Sequence, residues 1–122
     1  MFDAATSALQ NVSTGRVKAL GVVAPVRTQF LPAVPTLTEQ GLKGIDMIGW
    51  LGWYGPANLP KEIVQQLNAA LVKALAHPEV KAGIERGAYE SVSSSPEELA
   101  ALTRQSYEQW GKVIKDLGIQ PQ

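Results

Sequence analysis

Catalysis needs reactive side chains in combination, and the 122 residues offer few combinations. His77 is the single histidine and there is no cysteine, which excludes a two-histidine metal site, a thiolate nucleophile and disulfides. A serine nucleophile would have only His77 as its base. The Pro78 that follows accounts for His77 as the junction between two helices. Glu97 and Glu98 are adjacent carboxylates, yet neighbours on a helix do not face the same way. Their place behind Ser95-Pro96 marks a helix start, where negative charge meets the positive end of the dipole. The glycines between Gly49 and Gly55 lack GxGxxG spacing, and no Lys-Ser/Thr follows as in a phosphate loop. Ser93-Ser94-Ser95 reads as a loop leading into a cap. No catalytic residue, metal ligand or cofactor is assigned, and the chain is expected not to be an enzyme.

Composition narrows the partners. Eleven Lys plus Arg balance eleven Asp plus Glu, so the basic footprint of a nucleic-acid binder is missing. With 45% hydrophobic and 18% charged residues the chain has apolar surface to offset the entropy of folding. Its length suits about one domain. No uninterrupted apolar run approaches a membrane span, and Met1-Phe2-Asp3 does not open a signal peptide.

The elements that would position any site follow from periodicity and caps. Asp3 is the expected N-cap of a short helix over residues 4–10, broken by Ser13-Thr14-Gly15. Val17, Leu20, Val22 and Val23 form a nearly continuous apolar run ending at Pro25, the pattern of a parallel strand buried on both faces. A loop from Arg27 to Pro35 precedes Thr36-Leu37-Thr38-Glu39, a capping box whose helix Gly41 stops after little more than one turn. From Asp46 to Pro56 aromatic and aliphatic residues alternate with glycine. As a strand, this segment puts Trp50 and Trp53 on opposite faces, so that one walls a pocket while the other packs in a core, or both are core. Pro60 opens an amphipathic helix over residues 60–76, and Pro78 opens a second that Gly87 ends. Residues 89–92 suit a short strand. Ser95-Pro96-Glu97-Glu98 is the strongest helix start, and Leu99, Leu102, Ser106, Trp110, Val113 and Leu117 then line one face, with Trp110 in the core. The charges divide near Pro56: four basic and three acidic residues before it, seven and eight after it.

One family carries these pieces in this order. The string Met1-Phe2-Asp3, Gly15-Arg16-Val17-Lys18-Ala19-Leu20, Leu31-Pro32-Ala33-Val34-Pro35-Thr36 with Glu39 and Gly41, Trp50-Leu51-Gly52, Pro56-Ala57, Leu67-Asn68, Pro78-Glu79-Val80 and Ser95-Pro96-Glu97-Glu98 resembles the C-terminal part of a Bug-type solute receptor of tripartite tricarboxylate transporters. The resemblance covers essentially the whole chain. It implies an α/β class and a partial type II periplasmic-binding-protein (Venus-flytrap) fold, with part of lobe 2 and the C-terminal helices of lobe 1. On that mapping residues 1–48 are the C-terminal portion of lobe 2, residues 49–56 the crossover or hinge strand, and residues 57–122 the helical portion of lobe 1. Gly49, Gly52 and Gly55 would supply the hinge.

The resemblance further implies binding without catalysis, of a small organic carboxylate or amino acid. Such ligands are held by backbone N–H groups at helix starts, which line the cleft at the carboxyl ends of strands. Phe2, Asp3 and Ala4 are the cleft candidates, with Trp50 and Gly52 next. Asp3 can serve as cap and cleft residue together. Two departures from the family pattern stand out: Ala4-Ala5-Thr6-Ser7 where many relatives carry Asn and Pro, and the bulky Trp53-Tyr54. The implied partners are the membrane components of the transporter, and the implied location of the full-length receptor is the periplasm. The isolated chain is expected to bind poorly. The alternative is a stand-alone oligomeric interaction module, formed by homo-oligomers or by exchange of elements between chains.

Overall fold

The computed structural model describes residues 1–45 and 48–120. Among the described residues four helices follow one another: α1 (Ala5–Ser13), α2 (Lys61–Leu75), α3 (Pro78–Arg86) and α4 (Pro96–Asp116). Two compact units can be distinguished, one of Met1–Leu51 with Lys81–Ser91 and the other of Gly52–Val80 with Val92–Gln122.

In the first unit α1 begins one residue later than expected and runs three residues further. Its N-cap is Ala4 rather than Asp3, and no side chain caps it in the usual way. Asp3 sits one residue outside, where its Oδ1 accepts from the Ala4 N–H at 2.9 Å and from the Ser7 hydroxyl at 2.6 Å. α1 closes through bonds from Gly15 N–H to Val12 O and from Arg16 N–H to Asn11 O, with Gly15 at φ 70°.

The expected strand over Val17–Val23 does not form a ladder. Val22 makes one isolated parallel bridge to Thr36, its N–H donating to Pro35 O at 3.0 Å and its carbonyl accepting from Leu37 N–H at 2.9 Å. Pro25 and Pro35 have no N–H to extend the pairing, and Leu20, expected inside, is 73% exposed. The Thr36 capping box is present in both directions: Thr36 N–H donates to Glu39 Oε2 at 2.7 Å, and Glu39 N–H to Thr36 Oγ1 at 3.1 Å. It caps a hydrogen-bonded turn over residues 37–41 instead of an α-helix, closed by Gly41 at φ 89°. Thr36, 1% exposed, is the most buried side chain of the described residues. The expected strand over 46–56 falls partly on Asp46 and Met47, which lie outside the described residues. Residues 48–56 join no ladder, and neither do 89–92. Pairing is non-local, and neither segment meets a partner strand among the described residues.

In the second unit α2 starts behind Pro60, as its sequence predicts, and packs on α4. Asn68 Nδ2 donates to Ser94 O at 2.8 Å, fixing the loop that leads into α4. Tyr54 and Thr103 join hydroxyls at 2.8 Å. α4 opens with the full capping box: Ser95 Oγ accepts from Glu98 N–H at 3.2 Å, and Ser95 N–H donates to Glu98 Oε2 at 2.7 Å. Trp110, expected in the core, is 48% exposed. Leu102 and Leu117 of the same expected stripe are also exposed, at 40% and 69%, whereas Leu99, Ser106 and Val113 are half-buried. His77 lies in the bend between α2 and α3, as expected.

α3 starts in the second unit and ends in the first. It ends at Arg86, directly before Gly87 as expected, but Gly87 is not the left-handed residue. The left-handed position is Ala88 at φ 58°, with Ala88 N–H on Glu85 O and Tyr89 N–H on Ile84 O. None of the four helices contains a fully buried residue.

Candidate functional site

The start of α1 is an anion-receptive backbone with its own carboxylate beside it. Ala4 is extended, at φ −69° and ψ 146°, and its carbonyl receives Ser7 N–H at 3.1 Å and Ala8 N–H at 2.9 Å. Ser7 Oγ also reaches Ala4 O at 3.0 Å. The N–H groups of Ala5 and Thr6, in the first turn, donate to no protein group among the described residues. These are the orphan donors of a helix start, at the positive end of the dipole. Asp3 Oδ1 is engaged by Ala4 N–H and Ser7 Oγ, while Oδ2 makes no hydrogen bond among the described residues. Phe2 beside it is exposed.

The other candidate residues are placed as follows. Trp50 belongs to the same unit as Asp3 and is half-buried, whereas Trp53 is 79% exposed. Gly52 and Gly55 belong to the second unit, and Gly52 is half-buried. Around Gly49 the space for a Cβ is open, and at Gly55 it would meet Leu59 Cδ2 at 3.2 Å; neither residue has a positive φ.

Sequence reasoning missed Ser7, whose signal was its spacing of four from Asp3, one helical turn. It also missed the clip between Arg27 and Glu39. Arg27 Nε donates to both Glu39 oxygens, at 3.1 and 2.9 Å, and its Nη1 donates to Pro32 O at 3.3 Å. The guanidinium, with the Thr36 N–H, holds the Glu39 carboxyl below its ordinary value of 4.5. The partners are twelve residues apart, so no local pattern announces them. An open groove of about 450 Å³ lies in the same unit, lined by Val12, Arg16, Val17, Lys18 and Val34 among others. Among the described residues no cluster of His, Asp and Glu could hold a metal ion, and no helix is long and apolar enough to cross a membrane.

Comparison with known proteins gives a consistent picture. The family described as tripartite tricarboxylate transporter family receptor matches residues 1–119. A protein of Pseudomonas sp. (strain P51), described as a UPF0065 protein in the tcbD-tcbE intergenic region, is 38% identical over 115 residues. The match covers 93% of this chain and 34% of that protein. The BugT protein of Bordetella pertussis is 23% identical, over 90% of this chain and 34% of its own length. Among solved structures, that of the periplasmic binding protein BugD superposes with a TM-score of 0.78 at 32% identity, covering 93% of this chain and 38% of that one. The chain thus spans about a third of the length of these relatives.

Proposed function

The chain belongs to the tripartite tricarboxylate transporter receptor family, and from that premise we propose that it forms part of an extracytoplasmic receptor that captures small carboxylate-bearing metabolites or amino acids. Capture is by closure of two lobes, without making or breaking a covalent bond, and the ligand is handed to the membrane components of the transporter. The observation that carries this reading is the start of α1. Two N–H groups, on Ala5 and Thr6, that are unengaged among the described residues follow an Asp3 carboxylate whose Oδ2 likewise has no hydrogen bond among them. A ligand carboxylate suits the N–H pair, and an amino acid could also offer its ammonium group to Asp3. Trp50 and Gly52 are proposed for the cleft, and Gly49, Gly52 and Gly55 for the hinge. Residues 1–48 are assigned to lobe 2, 49–56 to the crossover and 57–122 to lobe 1.

The test is calorimetry on a chimera in which residues 1–119 replace the matched third of the strain P51 relative, titrated with dicarboxylates and amino acids. Binding that weakens at least about tenfold on Thr6→Pro, which deletes one donor, supports the assignment. Undiminished binding in that variant removes α1 from the site. A second reading, an oligomeric interaction module, is favoured by the uncovered apolar residues of α2 and α4, such as Leu67 and Trp110. A strictly monomeric chain in light scattering counts against it.

A further inference from the structure

The chain passes between its two units three times, at Leu51–Gly52, at Val80–Lys81 and at Ser91–Val92. The second passage runs inside α3, whose proline is confined to its first position, so this helix has no site for a sharp bend and moves as a rod. The other two passages are irregular, and they are built alike. Leu51, Gly52 and Trp53 make no hydrogen bond among the described residues, and neither do Val92 and Ser93. Trp53 and Val92 are 79% and 72% exposed, so packing holds neither of them. At the third residue of each return into the second unit the chain is tied down: Tyr54 to α4 through Thr103, and Ser94 to α2 through Asn68. Because α2 packs on α4, both ties end on one body.

The Tyr54 tie has a fixed direction. Thr103 Oγ1 gives its single proton to Leu99 O at 2.7 Å, within α4, so in the 2.8 Å contact it can only accept, and the Tyr54 hydroxyl donates. On the other passage Asn68 Nδ2 donates to Ser94 O at 2.8 Å, and the next residue, Ser95, is held by both bonds of its capping box. We propose that Tyr54 and Asn68 are positioning residues for lobe closure, pinning the second-unit ends of both irregular passages so that bending is confined to residues 51–53 and 92–93. Gly55 then lies on the pinned side, which narrows the pivot to fewer residues than the three hinge glycines span. Short pivots let two bodies rotate about them, whereas longer loose segments also let them slide and twist. Those extra arrangements would dilute the one competent to close and lower the apparent affinity by that fraction.

This inference rests on the receptor reading above for the motion it serves, but its test uses no ligand, so carboxylate binding can fail while the anchors stand, and the reverse. The 122-residue chain has no cysteine, so Lys43→Cys and Lys112→Cys, both exposed and one in each unit, carry spin labels at unique positions. Electron–electron resonance between the labels gives the distribution of distances, and amide NMR relaxation locates the pivot. Expected order parameters are below about 0.6 at residues 51–53 and 92–93 and about 0.85 at Tyr54 and Ser94. Tyr54→Phe and Thr103→Val should each bring residues 54 and 55 below about 0.6 and broaden the distance distribution, and Asn68→Ala should do the same at Ser94. Thr103→Ser keeps the acceptor and should behave as the unaltered chain. Tyr107→Phe, which removes an exposed hydroxyl elsewhere on α4, is the control. A merely structural role would lower the urea midpoint and leave the distance distribution as it was. The proposal is overturned by equal order on either side of Tyr54 and Ser94, by a distribution unchanged in Tyr54→Phe and Asn68→Ala, or by the same broadening in Tyr107→Phe.

Discussion

Gly21→Ala separates two opposing effects at the bridge between Val22 and Thr36. Alanine reduces the entropy of the unfolded chain and would by itself stabilise by about 0.4–1 kcal/mol. Against this, the added methyl would lie 2.6 Å from both Leu37 Cδ2 and Gln40 Nε2. Both are ends of flexible side chains, so they swing aside and the backbone stays. Gln40 then gives up its 3.0 Å bond to Leu20 O, worth about 0.5–1.5 kcal/mol, and Leu37 leaves its preferred rotamer at a similar cost. The balance is a loss of about 1 kcal/mol, or about fivefold in the local opening equilibrium. Amide exchange at Val22 and Leu37, whose N–H groups close the bridge, should accelerate by that factor. Gly49→Ala is the control, since nothing lies within 4 Å of its added Cβ. Unchanged or slower exchange in Gly21→Ala would refute the argument that the turn over 36–41 is pressed against this segment.

Ser95→Ala removes the acceptor for the Glu98 N–H and should cost α4 about 1 kcal/mol, while Ser95→Asp restores most of it; helicity by circular dichroism against urea distinguishes them. At the end of α3, Ala88→Gly relieves a left-handed alanine and should stabilise by up to about 1 kcal/mol in thermal unfolding. Glu39 is held below 4.5 by Arg27 and the Thr36 N–H. Its folded value is depressed, so its contribution to the turn is present above 4.5 and disappears as pH falls through the lower folded value. NMR titration of Thr36 and Glu39 should show that loss, and Arg27→Gln should move it back toward 4.5.

What was legible in the sequence was local. Thr36 with Glu39 and Ser95 with Glu98 are three residues apart, and each pair closes its own box whatever surrounds it. α2 and α3 begin around their prolines for the same reason. The α1 site was legible as a helix start but misplaced by one residue, because Asp3 bonds to Ala4 and Ser7 instead of capping the first turn. Strand patterns were read correctly as apolar and wrongly as paired. Val17, Leu20, Val22 and Val23 specify a sheet position, yet a ladder also needs a neighbour that local sequence does not supply. Trp110 shows the same limit on a helix: periodicity defines the stripe, and what covers it is a tertiary matter. The Arg27–Glu39 clip had no local signature at all.

We propose that these residues contribute one part of a small-carboxylate receptor, so that binding needs the portion of a family member that this chain does not span. Parallel calorimetric titrations of the 122-residue chain and of the chimera carrying residues 1–119, with the same dicarboxylates and amino acids, test it most directly. The account predicts micromolar binding by the chimera and none by the chain alone. Micromolar binding by the isolated chain, or a folded chimera that binds no carboxylate, would contradict it.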